Sequence, residues 1–422
     1  MKKIFFYSIA IFFLLFPIFS IRAEEISLTL DEAVSIALRD NRDILLKSED
    51  VKKAKAKISE ARSSLFPSFS AGAGWSDIRG LYSKDVSGFS AQAGVKQVIY
   101  AGGRIINAIK AGEDNYIATQ AVLDKTKLET ILSVKKTYYT LLLTERFTQI
   151  NKAIVENTRE HLALARARFS GGQVSESDVI KMRSSLAGVV QVYEASLNQK
   201  ESAQALLNNL LFLDKETRLK PEGQFSCEPK EIAYDSAFLK ALQSRPEIRQ
   251  LEAQKNIASR NIEIAKAGNR PQVSAAWDYY SSSHLATGTA RNQNDYNVLG
   301  IAVSWPLFDG QLTKSRVEQA IIDLKEAQLL KEKAVNDISL ELKTVYLELK
   351  DAIEKIKSVS EETNVYKDKL TVIEEQQKAG LSSGLDLYDA QLSYRVALFN
   401  QAQVNYDYLI AKTKFDKATG GI

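Results

Sequence analysis

In 422 residues the chain has one cysteine, Cys227, and two histidines, His161 and His284. A lone cysteine builds neither a disulfide framework nor a paired-Cys metal site, and no role is assigned to it. Two histidines outside any HExxH spacing give no zinc centre. His161 falls in a predicted helix and His284 in a polar loop, and both read as solvent-facing. The carboxylates are abundant but scattered over charged helices, where they form solvated faces. These residues argue against an enzyme, a cofactor or a metal site. Proline is scarce too, seven in all, and Ala, Lys, Glu, Leu, Gln and Ser fill long tracts, which is the composition of long helices.

A long apolar run occurs once. Lys2 and Lys3 precede Ile4 to Phe19, and Ser-Ile-Arg-Ala follows at 20–23, the layout of a secretory signal peptide with cleavage after Ala23. The run is shorter than the ~20 apolar residues that a membrane helix needs, and nothing comparable lies downstream. Removing 1–23 takes Lys plus Arg from 56 to 53 against 52 Asp plus Glu. A chain so near neutrality lacks the basic face that nucleic acid requires.

What the chain does have is an internal repeat. Shifting the sequence by 204 positions aligns TLDEAVSIALRDNRDI at 29–44 with AYDSAFLKALQSRPEI at 233–248, in register as far as Pro67 against Pro271. A shift of 208 aligns VIYAGGR at 98–104 with PLFDGQL at 306–312, Tyr138 with Tyr346, and Gly172, Ser175 and Asp178 with Gly380, Ser383 and Asp386. From Ile338 through Leu342, Val345, Leu349 and Ala352 to Ile373, apolar residues keep a four-three spacing, a heptad seam that coils against neighbouring helices. The segment from Gly102 to Phe169 has no proline, and a helix of that length spans roughly 100 Å.

Between the helices the period drops to two, as in Val273, Ala275, Trp277 and Tyr279 or Leu299, Ile301, Val303 and Trp305. The resulting segments are a signal peptide at 1–23, a first repeat at 24–211 with strands at about 67–76 and 87–99, and a connector at 212–233. A second repeat follows at 234–418 with strands at about 271–281 and 297–306, then a tail at 419–422. Four strands with one apolar face and aromatic ends match an outer-membrane barrel in contact with lipid. Four cannot close one, because a lipid-exposed sheet edge leaves N–H and C=O groups without partners. Oligomerisation is therefore required. A dimer gives eight strands, a barrel filled by its own side chains, so a trimer is preferred.

The order of these features resembles the TolC family of outer-membrane efflux proteins. The resemblance rests on the duplicated layout, on VIYAGGR and PLFDGQL, and on the paired RFSGGQVSESDV and QQKAGLSSGLDLYDAQ segments, and it runs from about Ile26 to Lys417. It implies a mainly helical chain with a membrane β part, forming a homotrimer with a twelve-stranded barrel in the outer membrane of a Gram-negative cell and a twelve-helix tunnel in the periplasm. It further implies a passive conduit for efflux or type I secretion, docked by a periplasmic adaptor and driven by an inner-membrane pump of the RND, ABC or MFS type. The rival class is a structural coiled-coil protein, either a periplasmic adaptor or a trimeric surface fibre. An adaptor carries a single hairpin flanked by small β domains, and a fibre needs no paired strands.

A Gly past a helix end supplies the left-handed conformation that stops the helix, and Ser then Asp start the next one. Gly172, Ser175 and Gly380 thus mark two hairpin turns, which the resemblance makes the tips that meet the adaptor. Asp178 and Asp386 read as acids at helix N-termini. Asp389 lies three residues beyond Asp386, where like charge mildly destabilises a helix. The resemblance makes Asp386 and Asp389, with Asp178, candidates for a cation-attracting ring at the periplasmic aperture. Lys181, the counterpart of Asp389, has two readings, a local pair with Asp178 or a latch to Asp386 or Asp389. Leu381, Ser382 and Ser383 stand where other family members carry Arg or Tyr, so Ser382 and Ser383 are the remaining latch candidates. Gly102, Gly103 and Gly310 serve strand-to-helix turns, since no phosphate-loop Lys and Ser/Thr follow them.

Overall fold

The computed structural model describes residues 25–81, 84–223, 233–286 and 292–421. The signal segment and Cys227 lie outside these residues. Eight helices and six strands are described, in the order β1 (Glu25–Leu28), α1 (Leu30–Asp40), α2 (Arg42–Ser63), β2 (Ser68–Leu81), β3 (Lys84–Ala101), α3 (Arg104–Ser170) and α4 (Glu176–Leu211), then β4 (Arg218–Pro221), α5 (Tyr234–Ser244), α6 (Pro246–Lys266), β5 (Gln272–Ala286), β6 (Asn292–Ser304), α7 (Leu312–Lys378) and α8 (Gly384–Ala418). Among them no helix is long and apolar enough to cross a membrane.

The chain packs as two units. Of the described residues, the first takes in 25–41, 131–223 and 349–413. Its core joins Val134, Tyr138 and Leu141 of α3 to Ala203, Leu207 and Leu211 of α4, with Leu28 and Leu219 of β1 and β4 beside them. These two short strands pair in parallel, and sequence patterning missed them because four residues carry no readable period. The Tyr138 hydroxyl donates between the carbonyls of Leu28, at 2.8 Å, and Glu222, at 2.6 Å. Burial pushes its phenol up to about 12. Elsewhere in this unit Phe147 stacks on Phe399 with ring centroids 3.6 Å apart. The heptad positions Leu349, Ala352 and Thr363 are buried here.

Of the described residues, the second unit takes in those within 42–130, 233–348 and 414–421. Arg245 is 3% exposed and donates to Glu341 at 2.6 Å, while Lys417 reaches the same carboxylate at 3.0 Å. Burial would raise the Glu341 carboxyl, but the hydrogen bonds from Arg245 and Lys417 outweigh it and hold the group below its ordinary value.

The same unit contains a single antiparallel sheet in the order β2-β3-β5-β6. Its strands of 14, 18, 15 and 13 residues outrun the sequence-based spans. Polar residues at the hairpin ends, Asp77, Arg79 and Lys84 in one and residues 281–283 with 292–295 in the other, hide the alternation there while the ladder continues through backbone pairing. His284 consequently lies in β5, paired with Asn292, and not in a loop.

The register sorts the side chains. Phe69, Val95, Trp277 and Leu299 stand in one row across the sheet, with Val273, Ala275, Ile301 and Val303 on the same face. The other face carries Ser70, Gly94, Asp278 and Val298 in one row, Gly72, Gln92, Tyr280 and Tyr296 in the next, and Gly74, Ser90, Ser282 and Asn294 beyond. Mid-strand, one face is mainly apolar and the other mainly glycine or polar, with Val298, Val98 and Ile78 as apolar exceptions on the second and Gln97, Asp295 and Asn297 as polar ones on the first.

Candidate functional site

Two helix ends in the first unit repeat one geometry. Helix α3 stops at Gly172, whose φ is +69°; the Gln173 N–H bonds the Arg168 carbonyl at 2.9 Å and the Gly172 N–H bonds that of Phe169 at 2.9 Å. Helix α7 stops at Gly380 in the same way, with φ +74°, Leu381 N–H to the Gln376 carbonyl at 2.8 Å and Gly380 N–H to that of Gln377 at 3.0 Å. A glycine terminates each helix because a Cβ makes this left-handed conformation costly.

The residue that caps the next helix lies three positions later. Ser175 caps α4: its hydroxyl accepts from the Asp178 N–H at 3.3 Å, and the Asp178 carboxylate accepts from the Ser175 hydroxyl at 2.7 Å and its N–H at 3.2 Å. Ser383 and Asp386 do the same for α8, at 3.1, 2.7 and 2.9 Å. The Ser383 hydroxyl and then its N–H hold the Asp386 carboxyl below the usual carboxylate range. Asp178 is lowered alike by Ser175, with the charge of Lys181 the smallest contribution.

Asp389 is exposed one turn into α8, and its carbonyl accepts from Ser393. Among the described residues Lys181 makes no ion pair within 4.0 Å. The Ser382 hydroxyl donates to the Ile373 carbonyl at 3.3 Å, so the hydroxyls of Ser382 and Ser383 are both engaged within their own hairpin.

Just inside these turns lies a polar network that sequence reasoning overlooked. Tyr388 of α8 is 5% exposed, and its hydroxyl meets Thr158 of α3 at 3.2 Å and Ser185 of α4 at 3.0 Å. Gln391 accepts from Asn157 at 2.6 Å and lies 3.2 Å from the His161 ring nitrogen. His161 packs edge-on against Tyr388 at 5.1 Å. It is half-buried between helices and not solvent-facing, because the apolar edge of its ring covers Tyr388 while its nitrogen finds an amide. A cleft of about 290 Å³ beside it is walled by Leu164, Val174, Met182 and Leu385. The available signal was Thr158, a polar residue in the buried row of Val155 and Leu162.

The strand-to-helix turns sit in the second unit. Gly102, Gly103 and Gly310 have φ of +63°, +89° and +67°. At Gly102 a Cβ would lie 2.8 Å from that of Arg270, whose guanidinium donates to the Gly102 carbonyl at 2.8 Å. Among the described residues no group of three His, Cys, Asp or Glu could hold a metal ion.

Comparison with known proteins agrees with this architecture. A family model described as outer membrane efflux protein matches residues 33–211 and 238–421. The chain is 23% identical to the solvent efflux pump outer membrane protein SrpC of Pseudomonas putida, over 91% of this chain and 83% of that protein. It is also 23% identical to the outer membrane protein TolC of Salmonella enteritidis, over 90% and 79% of the two. Among solved structures, a membrane protein from Pseudomonas aeruginosa superposes with a TM-score of 0.80 at 19% identity, covering 93% of this chain and 92% of that one. The Campylobacter jejuni CmeC outer membrane channel gives 0.79 at 18% identity, covering 93% and 85%.

Proposed function

The chain belongs to the outer membrane efflux protein family, and from that premise we propose that three copies form a passive export channel through the outer membrane. The observation that supports this most is the sheet. Its outer strands, β2 and β6, each have one neighbour within the chain, so both edges need partners in lipid. Because the four strands alternate in direction, β6 of one copy meets β2 of the next antiparallel. Three copies close twelve strands around a polar lumen, with Phe69, Trp277 and Leu299 facing lipid. At 13 residues or more the strands exceed the 9–11 that cross a bilayer.

The helices follow as a duplicated unit, two hairpins per copy, six around the threefold axis. Their tips, with Gly172, Ser175 and Gly380, form the periplasmic mouth and meet an adaptor. An inner-membrane pump of the RND, ABC or MFS type then supplies the energy. In this reading Asp386 and Asp389 ring the aperture with six carboxylates, joined by Asp178, and attract cations. Lys181 latches neighbouring tips only if it reaches an acid of an adjacent hairpin.

The test is the reversal potential of purified trimers in a planar bilayer under a salt gradient, for wild type and for Asp386→Asn with Asp389→Asn. Cation selectivity that the double variant loses is the expected result. Conductance with unchanged selectivity leaves the channel and removes the ring. Folded trimers that never conduct, even with the tip residues replaced, overturn the channel.

A further inference from the structure

The polar face of the sheet carries one feature that a plain water-filled wall does not need. Tyr280 and Tyr296 are direct cross-strand partners on that face, and their rings stack with centroids 5.1 Å apart and planes 19° apart. Their row is completed by Gly72 and Gln92, and the next row towards the hairpin ends is Gly74, Ser90, Ser282 and Asn294. The two phenols are the aromatic surface among glycine, serine and amide residues, with Gln92 beside Tyr280 and Val298 in the adjoining row. In the single chain Tyr296, on the edge strand β6, is 53% exposed, and the β2 residues on this face that meet β6 in the next copy, Ser70, Gly72 and Gly74, are small.

Asp278 lies two residues before Tyr280 on the same face, about 7 Å along the strand. It stands over Gly94, where a Cβ would collide with its carboxylate. The glycine leaves room for the acid to lie flat against the wall. Among the described residues no ion pair reaches Asp278. The charged group nearest in register is Lys96, one row further on opposite Ala276.

We propose that Tyr280, Tyr296 and Asp278 form a wall site for planar organic cations in the barrel lumen, repeated three times around it. The inference rests on the trimeric channel of the preceding section. A flat cation stacks on the tyrosine pair, whose π faces attract positive charge within ~6 Å, and Asp278 supplies the counter-charge. Such a site slows and concentrates flat cationic cargo on its way out. It favours them over globular cations, which cannot stack, and over planar anions, which Asp278 repels.

The experiment adds proflavine, a planar cation, to the extracellular side of single trimers in a planar bilayer, with tetrabutylammonium and fluorescein as non-planar and anionic controls. All variants carry Asp178→Asn, Asp386→Asn and Asp389→Asn, so that the acids of the helix tips do not contribute. Proflavine is expected to reduce the current more than either control. Tyr280→Leu with Tyr296→Leu, and separately Asp278→Asn, should each weaken that block about tenfold, whereas Tyr280→Phe with Tyr296→Phe keeps the ring faces and should leave it within about twofold. If the leucine pair fails to assemble into trimers, Asp278→Asn and the single Tyr296→Leu carry the same comparison. Equal block by proflavine and tetrabutylammonium, or block indifferent to these substitutions in a channel that conducts, overturns the wall site and leaves the channel standing. Trimers without any conductance overturn the channel and this site with it.

Discussion

Asp386 is held by its helix before it can serve an aperture. Its carboxylate accepts from the Ser383 hydroxyl at 2.7 Å and from the Ser383 N–H at 2.9 Å, and both bonds favour the charged form. A carboxyl lowered in the folded state adds stability at neutral pH that is lost only as pH falls through the lowered value. Cation selectivity carried by Asp386 should therefore persist below the ordinary aspartate pKa of 3.8. Ser383→Ala removes the hydroxyl bond and should move the loss of selectivity to higher pH, which reversal potentials measured along a pH series would detect. An unchanged profile would separate Asp386 from the ring. The same substitution removes the α8 cap, a change worth about 1 kcal/mol, visible as faster hydrogen exchange in the first turn of α8. Glycines permit a second contrast. Gly102 and Gly310 both need positive φ, but only Gly102 has a crowded Cβ position. Alanine at Gly310 should cost about 1 kcal/mol for the strained backbone, and alanine at Gly102 clearly more, compared as shifts in unfolding temperature.

At the scale of elements, buried charge gives a directional prediction. Glu341→Ala leaves Arg245, 3% exposed, with only Glu247 at 3.8 Å. Arg245→Met leaves Glu341, which is more exposed, still paired with Lys417. The glutamate substitution should be the worse of the two, at about 2 kcal/mol once the partial exposure of Glu341 is allowed for. Paired denaturation curves of the two variants check the order. Because the Glu341 carboxyl lies below its ordinary value, this contribution is present at neutral pH and fades as pH falls through that lowered value. The elements themselves were legible to different degrees. The α7 seam was readable because Leu342, Val345 and Leu349 repeat at a spacing that only a helix places on one side, and all three are buried. Strands β1 and β4 were unreadable, since Glu25–Leu28 and Arg218–Pro221 are too short to alternate and exist by pairing with each other. The Tyr388 network was hidden for another reason. Ser185, Thr158 and Tyr388 come from three helices, and no periodicity within one helix predicts which polar residues will meet.

At the scale of the molecule, alternation revealed strands but not their order. Which strand lies beside which depends on β3 pairing with β5 across 170 or more residues of intervening chain, and backbone hydrogen bonds leave no mark in the sequence. Once the register is known, the two faces acquire different solvents, and that difference can be tested. Leu299 is 81% exposed on the apolar face in the row of Trp277, whereas Ser282 lies on the polar face between Ser90 and Asn294. If the sheet closes into a barrel, Leu299 faces hydrocarbon and Ser282 faces water. Lysine on the lipid face near mid-depth costs about 2–4 kcal/mol, and in a water-filled lumen far less. Leu299→Lys should then lower the yield of heat-modifiable trimer in outer-membrane fractions, while Ser282→Lys assembles normally and shifts the channel's ion preference towards anions. The reverse pattern, with Ser282→Lys blocking assembly and Leu299→Lys harmless, would turn the barrel inside out. Equal tolerance of both lysines would mean that neither face meets lipid, and the sheet's free edges would then need a partner other than two further copies of this chain.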